Sequence, residues 1–432
     1  MSFSEYAESG PRLMTGDGDH KITGTFRLSD TSMTVANTLR RAILTETRSV
    51  SFRADLTDPV NPGIKINKNT SVIFNEMLAH RLTLLPLGVV RLDEFKPERY
   101  ECVLQVKNTA VGSAESLQVK ASNFTVREKQ EDGSWLEMPA AASAALFPAD
   151  PITRDTTLLV TLRAQWNPEQ PPEEVDLVAY PVIGRGRDFM GFSPVSQASY
   201  GNTVDPDPVR QERFFYEWLD AYKKIADPTA IPPETLERHR QEWQTMAIQR
   251  CFIVNERGDP SSFDFTVESV GIRPVPDIVA EAIQAVIDMV RPYTSAETPA
   301  ESLGITHQPP ESRMIGIDLH FDGQEHTLGC LLQTLITELY LDREAADAPI
   351  TYVGYKVRHP LKREMTLRFG LREGVAADAM SVVRQIVAAA ASRAVAIFEE
   401  LGRSWTATAS ATAAGASATA AGAGAGANAL EG

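Results

Sequence analysis

Hydrophobic and polar positions alternate in several short runs along the chain, and each run leads into apolar residues at helical spacing. In "KITGTFRLSD", Ile22, Gly24, Phe26 and Leu28 share one side, which predicts a half-buried strand. "SSFDFTVESVG" sets Phe263, Phe265 and Val267 against Asp264, Thr266 and Glu268, and "MIGIDLHFDG" alternates Ile315, Ile317, Leu319 and Phe321. After the first run, Asp30, Thr31 and Ser32 offer capping oxygens for a helix whose stripe is Val35, Leu39, Ala42 and Ile43. After the second, Pro276 opens a helix with Val279, Ile283, Val286, Ile287 and Val290 on one face. After the third, a helix from His326, with Thr327 as candidate cap, carries Leu328, Leu331, Leu332, Leu335 and Leu339. A further strand, "EMTLRFG", then precedes a long helix from about Ala376 to Trp405.

These elements predict one scheme written twice: strand, short helix, strand material, second strand, closing helix. The fold class is α+β, with two related dimerisation units of antiparallel strands and helices paired about a pseudo-twofold axis. Unit one occupies residues 1–93 and 251–295. It is interrupted by a mostly β insertion at 94–205 and a polar, partly helical connection at 206–250. Residues 296–312 read as a linker, 313–405 as unit two, and the Ala/Gly/Thr-rich stretch 406–432 as a mobile tail, since it lacks large apolar side chains to bury. "TDPVNPG" at 57–63 reads as a turn. "NTSVIFNEMLAHRLTLLPLG" reads as a helix ended by Pro86 and Gly88, with Phe74, Met77, Leu78 and Leu82 at helical spacing.

Composition changes the picture little. The chain has 432 residues, a formal net charge of −15 and ordinary hydrophobic content. That charge argues against a surface that grips nucleic acid throughout, because phosphate neutralisation needs clustered Lys and Arg. Three scattered cysteines supply neither a disulfide framework nor a zinc knuckle. No run of about 18 apolar residues predicts a membrane span, and the first residues lack the apolar core of a secretory signal. The expectation is an intracellular protein, with nucleus, cytoplasm and virion equally compatible.

"SDTSMTVANTLRRAIL" followed by "FNEMLAHRLTLLPLG" resembles the assembly subunit of multisubunit DNA-dependent RNA polymerases. This is the family of the bacterial alpha subunit N-terminal domain, the archaeal D subunit and the third-largest subunit of RNA polymerase II. "FTVESVGIRPVPDIVAEAI" resembles that family's returning strand and dimer helix. "HTLGCLLQTL" with "YVGYKVRHPL" resembles the smaller partner, the archaeal L or eleventh subunit, with Cys330 and Arg358 as departures from its pattern. Two subunits on one chain resemble an arrangement of some large DNA viruses.

The resemblance implies a non-catalytic platform that docks the second-largest and largest polymerase subunits, joined by small subunits, with no direct DNA contact of its own. It implies a large-subunit interface at Asn37, Leu39, Arg40, Arg41, His80 and Arg81. It implies an intramolecular dimer interface at Val35, Leu39, Ile43, Ile283, Val286, Leu328, Leu332 and Leu335. Relatives carry a cysteine cluster in the insertion, where this chain has only Cys102, so no metal and no cofactor are expected. No catalytic residue is assigned. The alternative is a free-standing enzyme using the Gly-rich turn "GRGRDFMG" and Cys330; the turn lacks a GK[ST] ending, and no base partner for the thiol is visible.

Overall fold

The computed structural model describes the chain except residues 16–19, 56, 59–62, 113–115, 311–313, 343–347, 375–377 and 428–432, and describes only the backbone of 230 and 412–427. Most of "TDPVNPG", the expected helix start at Ala376 and the last five tail residues lie outside the described residues. Unit one opens with β1 (Ser2–Arg12), β2 (Lys21–Ser29), α1 (Met33–Thr45), β3 (Arg48–Phe52), β4 (Ile64–Asn69) and α2 (Asn75–Thr83). The insertion holds β5 (Tyr100–Lys107), β6 (Leu117–Lys120), β7 (Thr125–Lys129), β8 (Trp135–Glu137), α3 (Ala140–Leu146), β9 (Leu158–Leu162), β10 (Glu174–Ala179) and β11 (Pro181–Arg185). Then follow β12 (Val195–Asn202), α4 (Pro208–Trp218), α5 (Pro233–Met246), β13 (Ser262–Ser269) and α6 (Val275–Val290). Unit two comprises β14 (Ile305–Gln308), β15 (Gly316–Asp322), α7 (His326–Ile336), β16 (Ile350–Val357), β17 (Glu364–Leu371) and α8 (Ala379–Ala427).

Two four-stranded antiparallel sheets carry the same strand pattern. In unit one the order is β1-β2-β13-β12, and in unit two β14-β15-β17-β16. The short helices α1 and α7 each follow the second strand of their sheet, and the long helices α6 and α8 follow the strand that is fourth along the chain and third in the sheet. The alternation read from sequence places Phe26, Leu28, Phe263, Phe265 and Val267 inward in one sheet, and Ile317, Leu319 and Phe321 inward in the other. These residues, with the apolar faces of α1, α6, α7 and α8, form one continuous hydrophobic core drawn from both units.

Several expectations need correction. The edge strands β1 and β14 went unread; β1 carries register shifts that break its alternation, and β14 is only four residues long. β14 and a 3₁₀ turn at Glu301–Leu303 lie inside the expected linker, so that stretch is built into unit two's sheet. Arg384 of α8 further ties the linker down by donating to the carbonyls of Ser295, Ala296 and Thr298. β12, placed in the insertion from sequence, pairs with β13 in unit one's sheet.

The insertion's own core reaches back to Val50, Phe52, Ile64, Leu78 and Leu82, because β4 hydrogen-bonds β10 and β3 hydrogen-bonds β11. Its packing boundary therefore falls near the end of α1 rather than at residue 93. Residues in 206–250 fold as a helical hairpin whose small core of Phe215, Leu219, Trp243 and Ala247 also takes in Cys251, just beyond the expected boundary.

The closing helix does not stop at Trp405 but runs on to Ala427, into the expected tail. Alanine is the strongest helix former, and no proline follows to break the turn. Its stretch Ala379–Ala411 is long and apolar enough to cross a membrane by length and composition, a feature the sequence reading did not register. Half of its 18-residue apolar window is buried inside the protein, as befits a core helix. On α7, Thr327 is not the cap: Glu325 occupies that position without a side-chain bond.

Candidate docking platform

At the centre of the molecule α1 lies antiparallel to α7. Ser32 caps α1 by accepting from the Val35 N–H, which fixes where the helix begins. Thr34 Oγ1 meets Thr334 Oγ1 at 3.0 Å, and Arg41 Nε donates to Thr327 Oγ1 at 2.8 Å. The two contacts are seven residues apart on each helix (34 to 41, 334 to 327), so they share one face of each helix, about two turns apart. Beneath them, Val35, Leu39, Ile43, Leu328, Leu332 and Leu335 are buried, as are Ile283 and Val286 on α6. The structure thus brings all eight expected interface residues into the shared core.

The expected large-subunit residues divide. Leu39 is fully buried and cannot meet an external partner, because it points into the apolar stripe of α1. Arg40 is half-buried and bonds back to Asn37 Oδ1 at 3.1 Å. Arg41 is engaged by unit two through Thr327. His80 and Arg81 are exposed on α2, and Arg81 Nη2 donates to the Leu158 carbonyl at 2.7 Å.

Helix α2 buries Leu78, Ala79 and Leu82 in the insertion's core. That leaves Phe74 and Met77, expected to share the buried stripe, 75% and 59% exposed. Phe74 precedes the helix as its extended N-cap, and Met77 falls on the face of α2 opposite Leu78, Ala79 and Leu82. Between α2 and the Gly-rich turn runs a cleft of about 320 Å³ lined by Arg53, Glu76, His80, Thr83, Asp188 and Phe189 among others. Met190 stands 60% exposed in the same turn.

The glycines of that turn have packing causes. A side chain at Gly184 would meet the Phe192 ring, one at Gly186 the Leu44 carbonyl, and one at Gly191 the Thr83 carbonyl. The turn is wedged between the C-terminal ends of α1 and α2, which no reading of its sequence revealed. Sequence reasoning also missed its charged ties. Arg185 and Arg187 approach the buried Glu46 carboxylate at 3.8 and 3.3 Å, and Arg363 of unit two approaches Asp188 at 2.8 Å.

Cys330 sits half-buried on α7, while burial of Cys102 pushes its thiol well above the usual cysteine range. Among the described residues no three His, Cys, Asp or Glu side chains come together as a metal site.

Two sheets of matching order, sharing one core and crossing through paired helices, define a dimerisation platform. Residues 25–290 match the sequence model of the RNA polymerase Rpb3/Rpb11 dimerisation domain, and the chain belongs to that family. The match runs from within β2 to the end of α6, insertion included.

Among curated relatives, the chain is 27% identical over 292 residues to the human DNA-directed RNA polymerases I and III subunit RPAC1, covering 60% of this chain and 77% of that protein. It is 44% identical over 276 residues to the DNA-directed RNA polymerase II subunit RPB3 of Schizosaccharomyces pombe, covering 60% and 78%. It is 25% identical over 274 residues to the DNA-directed RNA polymerase subunit Rpo3 of Thermococcus kodakarensis, covering 60% and 87%.

Proposed function

We propose that the chain is a non-catalytic assembly platform of a DNA-directed RNA polymerase, in which unit two takes the place of a separate small partner subunit. The observation that carries this is the single core shared by two sheets of identical strand order, reached through one continuous chain. Covalent linkage replaces bimolecular encounter by a high effective concentration, so pairing does not depend on protein concentration. The equivalent positions of α1 and α7 in their sheets' strand order support a pseudo-twofold relation between the units.

The outward surface for the second-largest subunit is α2 with the cleft beside it, together with the half-buried edge of α1 at Asn37 and Arg40. Exposed Phe74, Met77 and Met190 form the apolar part of that surface, of the kind that marks protein contacts. The largest subunit and small subunits complete the assembly, inside the cell. Catalysis and DNA contact reside on those chains, in keeping with the net charge of −15. The enzyme alternative loses its main support, because the glycine spacing of "GRGRDFMG" is accounted for by close packing against Phe192, Leu44 and Thr83.

Reconstitution with the two large subunits tests the proposal. Phe74→Asp with Met77→Asp should abolish capture while circular dichroism and thermal unfolding stay near those of the parent. Capture at parental affinity by this variant would refute the α2 surface, and failure of the parent chain to bind either large subunit would refute the platform.

A further inference from the structure

Arg363 precedes β17 in unit two, yet its contacts lie in the turn that ends unit one's insertion. Its Nη1 donates to Asp188 Oδ1 at 2.8 Å and its Nη2 to the Arg187 carbonyl at 2.6 Å. Its Nε also lies 3.6 Å from Glu325, beside the start of α7. Arg187 is held in turn by its N–H to the Thr45 carbonyl at 3.0 Å and by its guanidinium beside Glu46, the C-cap of α1. Asp188 and Phe189 then form one wall of the cleft whose other wall carries Glu76 and His80 of α2. One side chain of unit two therefore braces a wall of a cleft that belongs to the other half of the molecule. A guanidinium fork that engages a carboxylate and a carbonyl together holds them in one orientation.

We propose that Arg363 is a positioning residue for partner docking: pairing of the two units sets the turn at 186–191, and the cleft beside α2 takes its docking shape only when unit two is seated. This rests on the platform reading above. A polymerase subunit bound at α2 then senses whether the halves have paired. Because binding couplings are reciprocal, that subunit also strengthens the hold of unit two on the turn.

The experiment uses the full chain and the second-largest polymerase subunit of the same source. It compares the parent with Arg363→Ala, Arg363→Lys and Met77→Asp by affinity, thermal unfolding and hydrogen exchange at 186–191. Arg363→Ala should weaken capture about fivefold, a coupling of the size found between residues in one network. It should speed exchange in the turn selectively, with little change in the unfolding midpoint. Arg363→Lys, which reaches one acceptor instead of two, should recover part of both. In an Asp188→Ala background the effect of Arg363→Ala should shrink.

Unchanged capture by Arg363→Ala, with capture lost in Met77→Asp, would overturn the coupling and leave the platform standing. Unchanged capture in both would overturn the α2 docking surface itself. A loss in Arg363→Ala matched by a general fall in stability and exchange protection would reduce Arg363 to a structural role and also overturn the proposal.

Discussion

Arg41 and Thr327 are 286 residues apart in sequence and 2.8 Å apart in space, joined across the two central helices. Arg40, the next residue back, bonds only one turn away to Asn37 on its own helix. Two adjacent arginines therefore have different duties, one holding the halves together and one lining the outer edge of α1.

Their substitutions should separate accordingly. Arg41→Ala removes a hydrogen bond from a charged donor and should cost about 1 to 2 kcal/mol of stability. Arg40→Ala should stay within about 0.5 kcal/mol of the parent, yet weaken capture of a large subunit. Urea unfolding beside a binding assay checks both, and equal stability losses would contradict the division.

Trp405 of α8 inserts into unit one. Its ring meets Phe3, Tyr6 and Phe26 edge-on at 5.0, 5.4 and 4.9 Å, and its Nε1 donates to the Pro276 carbonyl at 2.9 Å. Trp405→Ala should cost about 3 to 5 kcal/mol, the range for emptying a large aromatic site. Trp405→Phe should lose less, mainly the bond to Pro276, at about 1 kcal/mol. Chemical denaturation measures both, and near-parental stability in Trp405→Ala would show that α8 does not lock the halves.

Asp318 is fully buried on β15 and takes a two-point bond from Arg368, at 2.7 Å to each oxygen. That pairing holds its carboxyl below the usual carboxylate range. Asp318→Asn removes the charge from the carboxylate side of this two-point bond and should cost about 3 kcal/mol. Replacing both partners, as Asp318→Asn with Arg368→Met, should cost less than the single change, because both charges of the pair are removed together. Equal losses in single and double variants would contradict this account.

How much of this could be read from sequence depends on the length and regularity of each element. β2, β13 and β15 alternate over seven to nine residues, and the apolar stripes of α1, α6 and α7 recur at helical spacing; all six were legible. β1 was not, because register shifts and Gly10 interrupt its period. Asp318 and His320 occupy the polar positions of an alternating strand, yet both are buried, because Arg368 and Thr366 on the neighbouring strand satisfy them. The interface stripe was legible because burial and period coincide there. The ties among Glu46, Arg187, Asp188 and Arg363 were not, because they join three separate places in the chain, largely through side chains.

The helical hairpin offers a test by pH. Arg240 makes a forked bond to Glu212, at 2.6 and 2.8 Å, joining α5 to α4. That bond lowers the Glu212 carboxyl from 4.5 to about 2. A depressed folded-state value means that the unfolded chain binds the proton more readily. The stabilisation is therefore fully present above about pH 4.5 and is lost as the pH falls towards 2. Because the pair is partly open to solvent, screening keeps its contribution modest. Glu212→Gln should be less stable than the parent at pH 7, and the gap between the two should close between pH 4.5 and 2. Unfolding curves taken across that range check it: parallel pH profiles for parent and variant would show that the charged pair does not fasten α4 to α5, leaving the hairpin to its apolar core, in which Phe215 meets Trp243.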